Sequence, residues 1–386
     1  KSILMKKILK ILIFIIFVIF GGIYVSNYSW FLEGVAKIYF TGHTTSYLSD
    51  YKVFDNNEIP VSSNPQPWPI HKKYNTTSPS SFLESHNKKN KTVAYLVIKN
   101  DSLYYEKYYD GYGLDSKSNS FSMSKSIVSA LLGKAIMDGY IESLDQPVYQ
   151  FLPEIKGSYS KIVTLGDLSS MSSGLDWQEE YYSPVSITAS SYFINDLKSL
   201  ILNQEIINEP GKSYSYLSGA TQLLGMSIVN ATGQSLSEYL YKSFWDPMGA
   251  ENSALWQLDS KKNNIEKAFC CIASNARDFA RFGKLYKDFG QWNGKTLIDS
   301  AFVVKSISPR FQKSPEYGYS WWLENFNGHK VFLMRGHLGQ YVIVLPDENI
   351  IVVRLGHLKG KSTPNNPRSD VHIYLDEAIK MINNTD

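Results

Sequence analysis

Hydrophobic and polar positions change period several times along the chain, and each change predicts an element. An uncharged apolar run, "ILIFIIFVIFGGIYV" from Ile11 to Val25, follows Lys6, Lys7 and Lys10. A membrane-spanning helix needs about 20 apolar residues. Ile8 and Leu9 lengthen the run if Lys10 reaches back to the headgroups, and Tyr24, Tyr28 and Trp30 suit the far interface. A cleaved signal peptide is the alternative. Bulky residues around Ser26 offer no small-x-small cleavage site, so the preferred reading of residues 1–30 is an uncleaved anchor. Its basic flank stays cytoplasmic and the remainder is exported, to the periplasmic or extracytoplasmic side. Residues 31–91 are then read as a polar linker or wrapping segment. Pro60, Pro65, Pro67, Pro69 and Pro79 break its later part, which argues against a core element.

From residue 92 the pattern becomes that of a folded domain extending to 386. "TVAYLVIKN" (92–100) and "SLYYEKYY" (102–109) are β-rich runs meeting at Asn100-Asp101, a hairpin signal. A periodic apolar helix follows over 122–138. Helical patterns continue over 218–233, 235–245 and 275–290, within a helical lobe at roughly 140–310. Strand patterns return at 317–324, 340–346 and 349–356, and an amphipathic helix at 370–382 closes the series. The economical arrangement is an α/β (strictly α+β) fold. One antiparallel sheet is built from both ends of the chain and flanked by helices, with the helical lobe beside it. A cleft between sheet and lobe is the default pocket.

Composition narrows the function classes. The 386 residues carry a net charge of +3, with 19% charged and 43% hydrophobic positions. Neither bulk charge nor any motif points to a nucleic-acid partner. Cys270 and Cys271 are adjacent, a spacing that rarely meets disulfide geometry, so no internal staple is expected. No serine has a G-x-S-x-G context. The seven histidines show neither H-E-x-x-H nor H-x-H spacing, so no metal or other cofactor is expected.

The stretch that carries chemistry is "NSFSMSKSIVSALLGKAIMDGYI", residues 118–140. Ser122 and Lys125 form an S-x-x-K pair, and residues three apart share a helix face. A helix start favours developing negative charge, and a desolvated lysine loses its proton readily enough to serve as a base. The spacing alone is not specific: Ser49/Lys52, Ser85/Lys88 and Ser158/Lys161 share it. Only Ser122 opens a long apolar helix. From this stretch alone, Ser120 or Ser122 acting as a helix cap is an equal alternative.

Two further stretches change that balance. Tyr216-Leu217-Ser218 and His337-Leu338-Gly339 follow the S-x-x-K in order. Together the three resemble the signature elements of the serine β-lactamase and penicillin-binding superfamily: S-x-x-K, then Y-x-N or Y-x-S, then K-T-G or H-x-G. The stretches at 164–177, 270–286 and 317–322 are similar as well. The resemblance spans about residues 78–382. It is strongest to the class C β-lactamase-like branch that includes 6-aminohexanoate-dimer hydrolase and related esterases.

The resemblance implies a β-lactamase/transpeptidase-like fold and a serine hydrolase cleaving a small amide, ester or peptide. Ser122 would be the nucleophile, with Lys125 and Tyr216 sharing acid and base work. Backbone N–H groups of Ser122 and Gln340 would form the oxyanion hole, and Ser218 would orient Lys125 and Tyr216. Substrate contacts would come from His337, Gly339 and Arg335, with Glu180 and Tyr181 (beside Glu179) at the cleft mouth. Taken alone, Tyr216 reads as a packing residue, and His337 as an ordinary histidine at a strand start. For Arg335, holding a substrate carboxylate and pairing with a surface acid are even alternatives. The missing K-T-G and Y-x-N argue against strong β-lactam hydrolysis. A silent or slowly deacylating membrane-tethered sensor and a DD-carboxypeptidase remain the alternative functions.

Overall fold

The computed structural model describes residues 2–25, 28–181, 183–361 and 369–383. Its frame is a six-stranded antiparallel sheet drawn from both ends of the domain. A four-residue strand, β1 (Asn56–Ile59), precedes it in the chain. Strands β2 (Thr92–Lys99) and β3 (Ser102–Tyr108) form the first hairpin. Its turn residues Asn100 and Asp101 take φ of 49° and 58°, the left-handed pair that a two-residue turn between twisted strands requires. Short strands β4 (Ser118–Asn119), β5 (Ala254–Gln257), β6 (Ile272–Ser274), β7 (Gln291–Trp292) and β8 (Lys295–Thr296) lie outside this sheet. Strands β9 (Trp322–Phe326), β10 (His329–Gly336), β11 (Gln340–Leu345) and β12 (Ile350–Gly356) complete it in the order β3-β2-β12-β11-β10-β9. The last strand is thus inserted beside the first, with Ile351 opposite Ile98 and Val353 opposite Leu96.

Twelve helices are described: α1 (Ser2–Val25), α2 (Ser29–Tyr39), α3 (Ser81–Lys89), α4 (Ser124–Met137), α5 (Leu165–Ser169), α6 (Ile187–Phe193), α7 (Leu197–Leu202), α8 (Ser218–Thr232), α9 (Leu236–Leu240), α10 (Ala276–Lys287), α11 (Ser300–Ser306) and α12 (Asp370–Asn383). Phe279 and Phe282 of α10 pack in one cluster with Val342, Val344 and Ile351 of the sheet. On the opposite face Leu83 of α3 and Val371, Tyr374 and Leu375 of α12 pack against Val97, Ile343 and Val352. A sheet covered on both sides has no solvent face, so β11 and β12 read as continuous apolar runs. Helix α4 packs on α8 at the centre of the helical lobe.

Some elements differ from those the pattern predicts. Strand β10, "HKVFLMRG", gave no signal: its Phe332 and Met334 enter one core and its Val331 and Leu333 the other, which removes any alternation. The run beginning at Tyr317 becomes strand only from Trp322. A four-stranded sheet, β1-β5-β6-β4, takes two of its strands, β5 and β6, from the region read as mostly helical. Residues 31–91 were kept out of the core by their prolines, yet Leu48, Ile59 and Trp68 are buried in the main cluster. Cys270 and Cys271, expected to be unpaired, form a vicinal disulfide, with Cys271 in the left-handed region at φ 79°. Leu4–Val25 of α1 is long and apolar enough to cross a membrane.

Candidate active site

The four serines of the opening stretch divide cleanly. Ser120 accepts from the Ile272 N–H, Ser124 donates to the Ala268 carbonyl at 3.1 Å and Ser126 to the Ser320 carbonyl at 2.6 Å. All three are buried and tie the start of α4 to its surroundings. Ser122 sits on a tight turn, Phe121–Met123, entered through Phe121 at φ 45°, a backbone conformation unusual for an aromatic residue. Neither Ser120 nor Ser122 caps the helix with its side chain. The cap alternative therefore does not describe this turn.

One helical turn on, the Lys125 ammonium meets the Ser122 hydroxyl at 3.1 Å and the Phe269 carbonyl at 2.7 Å. Its other neighbours are the rings of Tyr216 and Phe269, 5.1 and 5.7 Å from the nitrogen. Two oxygen partners and two rings are a thin substitute for water, and burial lowers the lysine to about 8; Glu179 opposes the shift. Burial pushes the Tyr216 phenol up, well away from ionisation at neutral pH. Ser122 lies close enough to counter part of that rise. Tyr216 is fixed in turn by Tyr317 and Trp322, with ring centroids at 6.1 and 5.6 Å.

The third motif forms the turn between β10 and β11. Leu338 and Gly339 both take positive φ, 61° and 82°, and Gly339 leaves no room for a Cβ, which would stand 2.6 Å from Arg354 Nη1. Arg354, wholly buried, donates to the carbonyls of Leu338 at 3.0 Å and Gly339 at 2.8 Å, to Asn90 O at 2.6 Å and to Thr92 Oγ1 at 3.0 Å. The Gln340 side chain points inward, donating to His337 O and Gly356 O and accepting from Gly356 N–H. Gly336, paired with Gln340, lets this end of the sheet approach the nucleophile turn: a Cβ there would lie 2.2 Å from the Ser120 carbonyl oxygen. The His337 ring stands edge-on to Phe121 at 5.6 Å and stacks on Tyr181 at 5.7 Å. Burial, helped by Lys359, lowers its pKa and keeps the imidazole neutral.

The three motifs therefore converge on Ser122. Two predicted details differ, and one open alternative narrows. Ser218 turns away from Lys125 and Tyr216: its N–H and hydroxyl both donate to the Glu179 carboxylate, each at 2.7 Å. Glu179 also accepts from Trp177 Nε1 at 2.8 Å and from the Tyr181 hydroxyl, so Glu179 is the organising carboxylate of "DWQEEYYSP", while Glu180 and Tyr181 line the cavity. Arg335 stacks on Trp322 at 5.1 Å, with no acidic partner among the described residues. Sequence reasoning missed Arg354 as the support of the H-x-G turn. Its only sequence signal is a charge within the apolar run "IIVVRLG".

Ser122, Ser218, His337, Glu180 and Tyr181 open onto a cavity of about 310 Å³. No cluster of metal-ligating side chains is found among the described residues.

A mixed sheet-and-helix body with a serine, a lysine and a tyrosine at its cleft defines the β-lactamase/penicillin-binding class of folds. Comparison with known proteins makes the assignment specific: residues 82–373 match the Beta-lactamase family, and the chain belongs to it. Among curated proteins it is similar to 6-aminohexanoate-dimer hydrolase of Paenarthrobacter ureafaciens, 24% identical over 300 residues, 71% of this chain and 74% of that protein. Among solved structures it is similar to a putative 6-aminohexanoate-dimer hydrolase from Bacillus anthracis, with TM-score 0.72, 21% identity, and coverage of 88% and 92% of the two chains. It also superposes on a D-stereospecific amidohydrolase from Streptomyces, with TM-score 0.56, 16% identity, and coverage of 75% and 92%. The family match together with the curated relative supports a hydrolase, and the solved structures support the fold.

Proposed function

We propose that this chain is a serine hydrolase that cleaves small amides or esters through an acyl-enzyme on Ser122. The observation that carries the proposal is the buried Lys125 amine, 3.1 Å from the Ser122 hydroxyl and lowered to about 8. A lysine with a pKa near ambient pH is a competent general base, whereas the raised phenol of Tyr216 holds its proton and suits the relay to the leaving group. Lys125 takes the hydroxyl proton as Ser122 Oγ bonds to the substrate carbonyl carbon. The tetrahedral oxyanion rests on the backbone N–H groups of Ser122 and Gln340, a kind of contact worth about 3–4 kcal/mol per donor in comparable sites. The carbon–nitrogen or carbon–oxygen bond then breaks, and the leaving group departs with a proton passed through Tyr216. Water, deprotonated by the same pair, attacks the acyl ester, releasing the carboxylic acid and returning the proton to Ser122. His337, neutral between Phe121 and Tyr181, offers substrate a hydrogen bond rather than a charge. The α1 helix holds the hydrolase body at a membrane, outside the cytoplasm.

Mass spectrometry of the protein after exposure to a fluorophosphonate and to a panel of acylating esters and amides tests this reading. The expected result is a single adduct on Ser122, ester or amide turnover, little nitrocefin hydrolysis, and loss of every signal in Ser122→Ala. An adduct that persists without turnover would favour the slowly deacylating sensor, and an unlabelled Ser122 would end the proposal.

A further inference from the structure

We propose that the cavity beside Ser122 is an acyl-chain chamber walled by α2, so that the substrate is an amphiphile whose unbranched apolar chain carries the scissile carbonyl. This rests on the serine-hydrolase reading above and adds a substrate class to it. In α2, Trp30, Phe31, Gly34, Val35 and Ile38 recur at helical spacing, and all five line the cavity that Ser122 opens onto. A stripe of that period on a surface helix normally seeks a core, but here it encloses space as well as packing. Phe121, Phe193 and Phe269 contribute to the same lining.

Helix α2 is docked on the hydrolase body. Asn195 Nδ2 donates to the Glu33 carboxylate at 2.8 and 2.9 Å, and the Lys37 ammonium lies 4.5 Å from the Phe54 ring centroid. A Cβ on Gly34 would come within 2.9 Å of the Phe193 ring, so helix and body touch closely there. The same helix begins at Ser29, immediately beyond an apolar helix that ends at Val25. The wall of the cavity is thus continuous with the segment suited to a bilayer, which is where a long-chain amphiphile resides. The polar end of the cavity, Ser122, Ser218, Glu180 and His337, receives the carbonyl and headgroup.

The experiment uses the full chain in phospholipid nanodiscs and p-nitrophenyl esters of acetic, octanoic and dodecanoic acid, with Ser122→Ala subtracted. Each buried methylene contributes up to about a fourfold factor, so the expected octanoate-to-acetate ratio of kcat/KM is at least about tenfold. Val35→Trp, which fills the chamber, is expected to lower that ratio about tenfold. Phe31→Ala, which enlarges it, is expected to raise the dodecanoate-to-octanoate ratio, and this holds the test open where the bulkier variant fails to fold. An octanoate-to-acetate ratio below about one in the wild type, or ratios unmoved by both substitutions in folded protein, overturns the chamber while leaving the hydrolase intact. No Ser122-dependent turnover of any ester overturns the hydrolase reading itself.

Discussion

Lys125, on α4, and Arg354, on β12, are both basic side chains with almost no exposure to solvent. Arg354 donates to three carbonyls and a hydroxyl. Lys125 has one hydroxyl, one carbonyl and two aromatic faces. Equal burial therefore has opposite consequences. The arginine's donors are taken up by four acceptors, and it locks the Leu338–Gly339 turn. The lysine is left short of partners, so its charge is expensive and its proton available. Burial lowers an amine but does not deprotonate a guanidinium, so the same depth affects the two side chains differently.

Lys125→Met separates the two side chains most strongly. Activity in an ester assay is expected to fall at least about 10³-fold, while thermal unfolding near pH 7 occurs at an equal or higher temperature. The sign follows from linkage. The folded-state pKa lies below the unfolded one, so between about 8 and 10.5 the unfolded chain binds more protons. Below that window the buried ammonium costs stability, and above it the cost is gone. The advantage of the methionine variant should therefore shrink as pH rises from 7.5 to 10. A large destabilisation at pH 7 would show that Lys125 is a structural cation like Arg354.

Arg354→Met should do the reverse. Stranding the carbonyls of Asn90, Leu338 and Gly339 is expected to cost about 3 kcal/mol of stability in denaturant unfolding, with the loss of activity following from the displaced turn. An unchanged midpoint would show that the turn holds without Arg354.

The smallest effect concerns Glu179. In the wild type, kcat/KM is expected to rise with pH through about 8 as Lys125 loses its proton. Glu179→Gln keeps acceptor and donor atoms for Ser218 but removes the charge that holds the lysine proton, so the rising limb should move to lower pH. A limb that stays in place would assign Glu179 to architecture alone.

These contrasts also mark what was legible in the sequence. Ser122, Lys125 and Tyr216 could be read because their relation is local or ordered: three residues along a helix, then a fixed succession of short motifs. The sheet could be read at β2, β11 and β12 from their valine and isoleucine runs, and at β3 from its tyrosines and the turn before it. What could not be read depends on approach across long separations. Glu179 acquires its role only when Ser218 folds against it, and Arg354 only when the Leu338–Gly339 turn closes over it. The apolar stripe of α2 was read together with the proline-broken chain that follows it, and its place beside Ser122 is a product of packing alone.

The insertion of β12 beside β2 has a temporal consequence. A ribosome delivers Ser122 and Lys125 long before Gln340, and the first hairpin has no neighbour in its sheet until Ile350–Gly356 emerges. An unfinished polypeptide thus carries Ser122 and Lys125 before β11 has a sheet partner on its β12 side. The first hairpin and the strand bearing Gln340 share one sheet only once β12 lies between them.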